Sequence, residues 1–148
     1  MTKHDSIKAY FEPKIHDLTK DVLHFNYSPK SADSFALLTN YAEKEIKKFI
    51  NGDVRKAYGF TVEVVKEYST YGDDLNLECM NFVQGFMDWL EEQNTQKNYP
   101  DFGKNCEVEE IEILQNMPNF AGINAEAGLA KYMVQGRILY LQKAEKLL

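Results

Sequence analysis

Between Leu75 and Leu90, large apolar side chains recur at steps of four, three, four and three or four: Leu75, Cys79, Phe82, Phe86 and Trp89 or Leu90. An α-helix, at about 3.6 residues per turn, puts such a series on one side of a cylinder. Val83 and Met87 widen the stripe. Asp73 and Asp74 supply an N-cap and favourable charge for the N-terminus. The pattern is lost over Asn94–Tyr99, and Pro100 excludes continuation. Gly85 lies mid-helix, at a cost of about 1 kcal/mol against Ala, and a close helix–sheet approach would explain it. A helix with one apolar face over about five turns needs a surface to lie on.

The rest of the chain supplies a sheet. In Val54–Tyr68, Tyr58, Phe60, Val62 and Val64 alternate with Ala57, Gly59, Thr61 and Glu63, which predicts a long half-buried strand. Leu129–Gln142 alternates Tyr132, Val134, Ile138 and Tyr140 with Met133, Gln135, Arg137, Leu139 and Leu141. Both faces are partly apolar, which suits a central strand. Cys106–Asn116 predicts a third strand. Val22–Tyr27 and Phe35–Thr39 read as short extended segments. Ser6–Phe11 predicts a short amphipathic helix through Ile7, Tyr10 and Phe11, limited by Pro13. Tyr41–Ile50 is compatible with helix or strand; Asn51-Gly52 behind it is a hairpin signal, because both residues tolerate positive φ. Pro118–Gly128 reads as a long flexible loop and Lys143–Leu148 as a frayed end. The sum is one α+β domain over residues 1–148: a small, mainly antiparallel or mixed sheet, one long helix packed across it, and a short N-terminal helix.

The chemistry expected of such a chain is narrow. The net charge is −6, which repels phosphate backbones and leaves only the cluster Lys44, Lys47, Lys48, Arg55 and Lys56 as a basic patch, diluted by Glu43, Glu45 and Asp53. That cluster reads as a solvated face. Cys79 and Cys106 lie 27 residues apart without CxxC or nearby His, against a zinc site or disulfide framework. No apolar run approaches the ~18 residues of a membrane span, and the start lacks a signal-peptide pattern. The expected setting is a reducing cytoplasm. No GxGxxG, Walker loop, HExxH or GxSxG occurs. His4, His16 and His24 read as surface residues, although His16 beside Asp17 resembles a base with its orienter. Asp73-Asp74 reads as a cap before a metal site. Glu107, Glu109, Glu110 and Glu112 read as a solvated or partner-facing row, and Trp89 as core. No catalytic, cofactor-binding or metal-binding residue is assigned. The aromatic share of 13% suits a core and also a subunit with several contact surfaces.

Three stretches carry a resemblance: Phe49–Phe60 (FINGDVRKAYGF); Tyr71–Leu77 running into Phe86–Asn94 (FMDWLEEQN); and Tyr132–Tyr140 (YMVQGRILY). In this order the chain resembles the minor capsid or tail-terminator proteins of siphophages and prophages of Gram-positive bacteria. The DWLEEQN segment is the most specific part. The loops Asn94–Asn105 and Pro118–Gly128 depart from the pattern. The resemblance implies a strand at Tyr41–Ile50 leading into the Asn51-Gly52 turn. It also implies a non-enzymatic virion protein of the neck or tail, assembled in the host cytoplasm. Such proteins form a homo-oligomeric ring, usually a hexamer, at the head-proximal end of the tail tube. The implied partners are further copies, the tail tube protein and a neck or head-completion protein. Specific nucleic-acid binding, a membrane and a cofactor are not implied; the genome passes through the lumen. Two other readings are a different neck or head-completion component and a small cytoplasmic enzyme or ligand-binding protein.

Overall fold

A computed structural model describes residues 2–19, 24–25, 34–67, 74–114, 119–124 and 128–144. The elements run α1 (Lys3–Thr19), β1 (His24–Phe25), β2 (Ser34–Lys48), β3 (Val54–Glu67), α2 (Asp74–Gln96), β4 (Cys106–Ile113), β5 (Asn119–Asn124) and β6 (Leu129–Gln142). The sheet order is β1-β2-β3-β6-β4, with β5 also on β6. Only β1 against β2 is parallel; the other pairings are antiparallel. This is the expected α+β architecture, and β6 is central, as its two partly apolar faces suggested.

The β3–β6 pairing is continuous over fourteen residues, from Val54 opposite Gln142 to Glu67 opposite Leu129. It places Tyr58, Phe60, Val62 and Val64 on one face beside Ile138, Gly136, Val134 and Tyr132, all buried. Both helices pack on this face. From α2 come Val83, Phe86, Met87 and Leu90, with Phe82 and Trp89 flanking; from α1 come Ile7, Phe11 and Ile15. The aromatic rings meet in the middle. Phe11 lies 5.4 Å from Phe60, 6.1 Å from Phe86 and 6.2 Å from Trp89, between ring centroids. On the opposite face of β3, Ala57, Thr61 and Val65 are also buried, so the strand is more enclosed than the half-buried strand its alternation predicts. These are mostly small side chains flanked by longer neighbours on β2 and β6.

Several expectations need correction. Helix α1 does not stop at Pro13 but runs to Thr19 with Pro13 inside it. Pro13 removes one backbone donor, yet Ile7, Phe11 and Ile15 repeat every four residues and are wholly buried. Burial of Ile15 rewards the extra turn. Tyr41–Ile50 is strand through Lys48, and its alternation is scrambled by register shifts at Thr39/Tyr41, Tyr41/Lys44 and Glu45/Lys47. The hairpin turn is not a two-residue type I′ turn. The Gly52 N–H donates to the Phe49 carbonyl and the Phe49 N–H to the Asp53 carbonyl, and only Gly52 has positive φ (94°). That is a three-residue loop closed by a glycine bulge. Part of the supposed loop Pro118–Gly128 is strand β5, which takes the stretch of β6 below the reach of β4. Of Val22–Tyr27, only His24–Phe25 is described as strand. Asp73 and the side chains of Leu75 and Cys79 lie outside the described residues.

Helix α2 ends before Pro100 is reached. Lys97 adopts φ 54°, its N–H bonds the Asn94 carbonyl, and the Asn98 N–H bonds the Gln93 carbonyl. This is the Schellman arrangement, here without glycine.

Two glycines behave oppositely. Gly85 does not mark a close helix–sheet approach: it is exposed, and a Cβ there meets nothing within 4 Å among the described residues. Gly136 faces the core, and a Cβ would come 2.6 Å from Phe60 Cζ and 3.0 Å from the Glu112 carbonyl. Urea unfolding of Gly85→Ala should therefore show a gain of about 1 kcal/mol. Gly136→Ala should lose about 1–3 kcal/mol, because the buried Phe60 ring has to move.

Candidate functional site: two unlike sheet edges

The outer strands of the sheet differ in how they end. On β4, the Asn94 side chain caps the edge at Ile111. Its Oδ1 accepts the Ile111 N–H at 2.8 Å and its Nδ2 donates to the Ile111 carbonyl at 2.5 Å. One side-chain amide thus reproduces the pair of bonds a neighbouring strand would make. Asn94 is aimed there by the residues before it. Leu90 is in the core, Trp89 packs on Tyr10 (5.7 Å) and Phe86 (5.8 Å), and buried Gln93 donates to the Trp89 carbonyl and accepts from Asn98. The segment DWLEEQN therefore does structural work at four positions. Tyr10 on α1 completes it by donating to the Asn98 carbonyl at 2.7 Å.

On the other side the outermost strand is the two-residue β1, and past it β2 is outermost among the described strands. Among the described strands, β1 reaches it only at Ala36 and Leu37. Beyond Leu38 it runs on beside β3 into the hairpin tip. Glu45, Ile46, Lys47, Lys48 and Ile50 are all exposed there. Phe49 is half-buried, with Lys47 Nζ 5.2 Å and Arg55 Cζ 5.4 Å from its ring centroid. The turn is braced from within: Asn51 and Asp53 exchange two hydrogen bonds, and Asp53 Oδ1 accepts the Ala144 N–H. So Lys143 and Ala144 of the supposed frayed end are tied down, the former to the Asn105 carbonyl.

The sheet face away from the helices is laced with charge. Arg55 reaches Glu109 with two bonds, 2.9 and 3.1 Å, Arg137 donates to Glu112 at 2.7 Å, and Lys131 and Lys143 approach Glu63 and Glu107. Three of the four acidic residues expected to form a solvated or partner-facing row are thus paired with bases; Glu110 stays exposed. Of the basic cluster, Arg55 is held by Glu109 and Lys48 by Glu45 at 3.6 Å.

Histidine placement is also informative. His16 is exposed; His4 Nδ1 shares a 2.6 Å hydrogen bond with the Tyr58 hydroxyl. That contact was invisible locally, because it joins residues 54 apart. Burial pushes the Tyr58 phenol up to about 12. Burial, with Tyr99 nearby, also raises Tyr10. Cys106 is a free thiol. Among the described residues no cluster of three or more His, Cys, Asp or Glu is placed to hold a metal, and no helix is long and apolar enough to cross a membrane. An open depression beside the hairpin is lined by Lys47, Phe49, Asp53, Arg55 and Leu141, but Asp53 and Arg55 are already committed to the contacts above. Compared with models of known protein families and with the sequences of curated proteins, the chain matches none.

Asn94→Ala should lower unfolding free energy by about 2 kcal/mol, since two bonds go and Ile111 is left unpaired. Asn94→Asp, which keeps the acceptor but loses the donor, should fold less stably than wild type in the same urea titration. The raised tyrosines set an alkaline limit. Below the ordinary phenol value both states are neutral. From pH about 10 the unfolded chain releases protons that the folded chain retains, so stability falls as pH rises towards the folded value. Urea midpoints measured from neutral to strongly alkaline pH should decline from there, and less steeply in Tyr58→Phe.

Proposed function

We propose that this chain is a non-enzymatic structural protein of a tailed phage, a tail terminator that forms a ring at the head-proximal end of the tail tube. One observation carries the structural side of this reading: the sheet has one edge strand, β4, capped at Ile111 by Asn94, and on its other side a strand, β2, that runs into an exposed, braced hairpin. Two unlike edges suit a head-to-tail contact, and head-to-tail contacts close into rings when the rotation allows. The three resembling stretches support the same reading, and each maps to an element the fold depends on. FINGDVRKAYGF is the hairpin and the start of β3, DWLEEQN is the edge clip, and YMVQGRILY is the central strand with Gly136.

The mechanism is steric and electrostatic. One ring face copies the docking surface of a tube subunit. The other offers no surface for a further tube subunit, so growth stops and the neck proteins meet a finished end. An acidic lumen lets DNA pass without adhering, in keeping with the net charge of −6. The charged sheet face, with its acidic residues already paired to Arg55, Arg137 and Lys143, needs no partner to be soluble.

Light scattering behind a sizing column, across protein concentration and with cognate tail tubes added, tests the reading. A discrete species of about six times the 17.1 kDa subunit, free or on tube ends, is the expected result. A monomer at every concentration that also leaves tube ends bare would contradict it.

A further inference from the structure

The hairpin tip is out of character with the rest of the chain. From Lys44 to Lys56 there are five basic and two acidic residues, while the remaining residues carry twelve basic and twenty-one acidic, a balance of −9. At its apex Ile50 is fully exposed, and Ile46 is exposed four residues earlier. Isolated apolar side chains on a surface are ordinary. Here Ile50 sits on the braced turn and Ile46 on the last part of β2 leading into it, beside Lys47 and Lys48. The bracing by Asn51, Asp53 and Ala144 means the tip needs little ordering before it binds.

The surface that matches it lies on the other side of the sheet. Helix α2 packs on β3 and β4, away from β2. Its solvent face presents Asn81, Gly85, Asp88 and Glu92 at steps of four, three and four, with Glu91 beside them, and all five are exposed. Among the described residues, Asp88 and Glu92 accept hydrogen bonds from Gln84 and Gln96, neutral neighbours on the same helix. Gly85 presents bare backbone one turn before Asp88, with open space where a Cβ would stand among the described residues.

We propose that the hairpin tip of one subunit docks on the outer face of α2 of a second copy of this chain, with Ile50 seated at Gly85 and Lys47 and Lys48 against Asp88, Glu91 and Glu92. This deepens the ring reading above and rests on it for the number of copies. The two surfaces lie towards opposite edges of the sheet, so each subunit gives a tip to one neighbour and a helix to the other. Charge complementarity sets the register and apolar contact at Ile50 supplies the desolvated centre.

The test uses the full chain, mixed equally from unlabelled and nitrogen-15-labelled protein and treated at high concentration with a carbodiimide, which joins amines directly to carboxylates. Mixed-isotope peptides joining Lys47 or Lys48 to Asp88, Glu91 or Glu92 are expected. Ile50→Asp and Gly85→Gln, both at exposed positions, should reduce them by roughly tenfold while leaving the folded monomer's circular dichroism unchanged. A ring-sized species whose intermolecular links avoid these residues would overturn the contact and leave the ring reading standing. The expected links found only in open chains would keep the contact and remove the ring. No intermolecular link at any of these residues, or links unaffected by both variants, would overturn the proposal.

Discussion

The Phe60 ring lies over Gly136, and the rest of the structure is arranged around that contact. The two residues face each other across β3 and β6, and the missing side chain of Gly136 is the space the ring fills. With Phe60 lying flat on its neighbour strand, Phe11 of α1 can approach within 5.4 Å, and Phe86 and Trp89 of α2 close over Phe11. A glycine in a strand weakens it in isolation. In this sheet its cost is offset by an aromatic layer that joins both helices to the central strands.

From that layer the edges follow. Leu90 and Trp89 are fixed by the core, and one turn later the same helix delivers Asn94 to Ile111. Capping β4 at Ile111 with a side chain rather than a strand ends the ladder there, and Asn81, Gly85, Asp88, Glu91 and Glu92 on the outer face of α2 are exposed. At the other limit, β3 carries its partner β2 out past the core to the hairpin, where Arg55 and Phe49 stiffen the base of the turn. The molecule is thus built with a direction: a blocked edge under a helix, and an outer strand with a braced tip.

The elements with one period were legible in the amino-acid sequence. β3, β6 and α2 were readable because each keeps its own rhythm over ten or more residues, and Leu129–Gln142 was bounded to the residue. β2 was not, because three register shifts break its alternation and leave a string of good helix formers. Pro13 suggested a helix end, but Ile15 is buried by residues far away in the chain. Strand β5 has no strong pattern of its own; its pairing comes from β6. The candidate site was half visible. The basic run from Lys44 to Lys56 is plain in the sequence, and Lys47 and Lys48 are exposed as a solvated face requires; that exposed Ile46 and Ile50 stand beside them depends on where β2 ends and the turn begins. Asn94 falls where the helical pattern fades, so its role is not apparent from periodicity. A polar residue one turn after buried Leu90, on nearly the same face, was the available signal.

The two sides of the sheet differ in how their outer backbone is paired, and amide hydrogen exchange in the dilute monomer measures that contrast directly. The Ile111 amide, bonded to Asn94, should exchange slowly, while the outward-facing amides of Glu45–Lys48 should exchange at rates near those of an open chain. In Asn94→Ala the Ile111 amide should lose its protection and the β2 amides should not change. Equal protection of the two edges in the monomer, or an Ile111 amide indifferent to the loss of Asn94, would contradict the account.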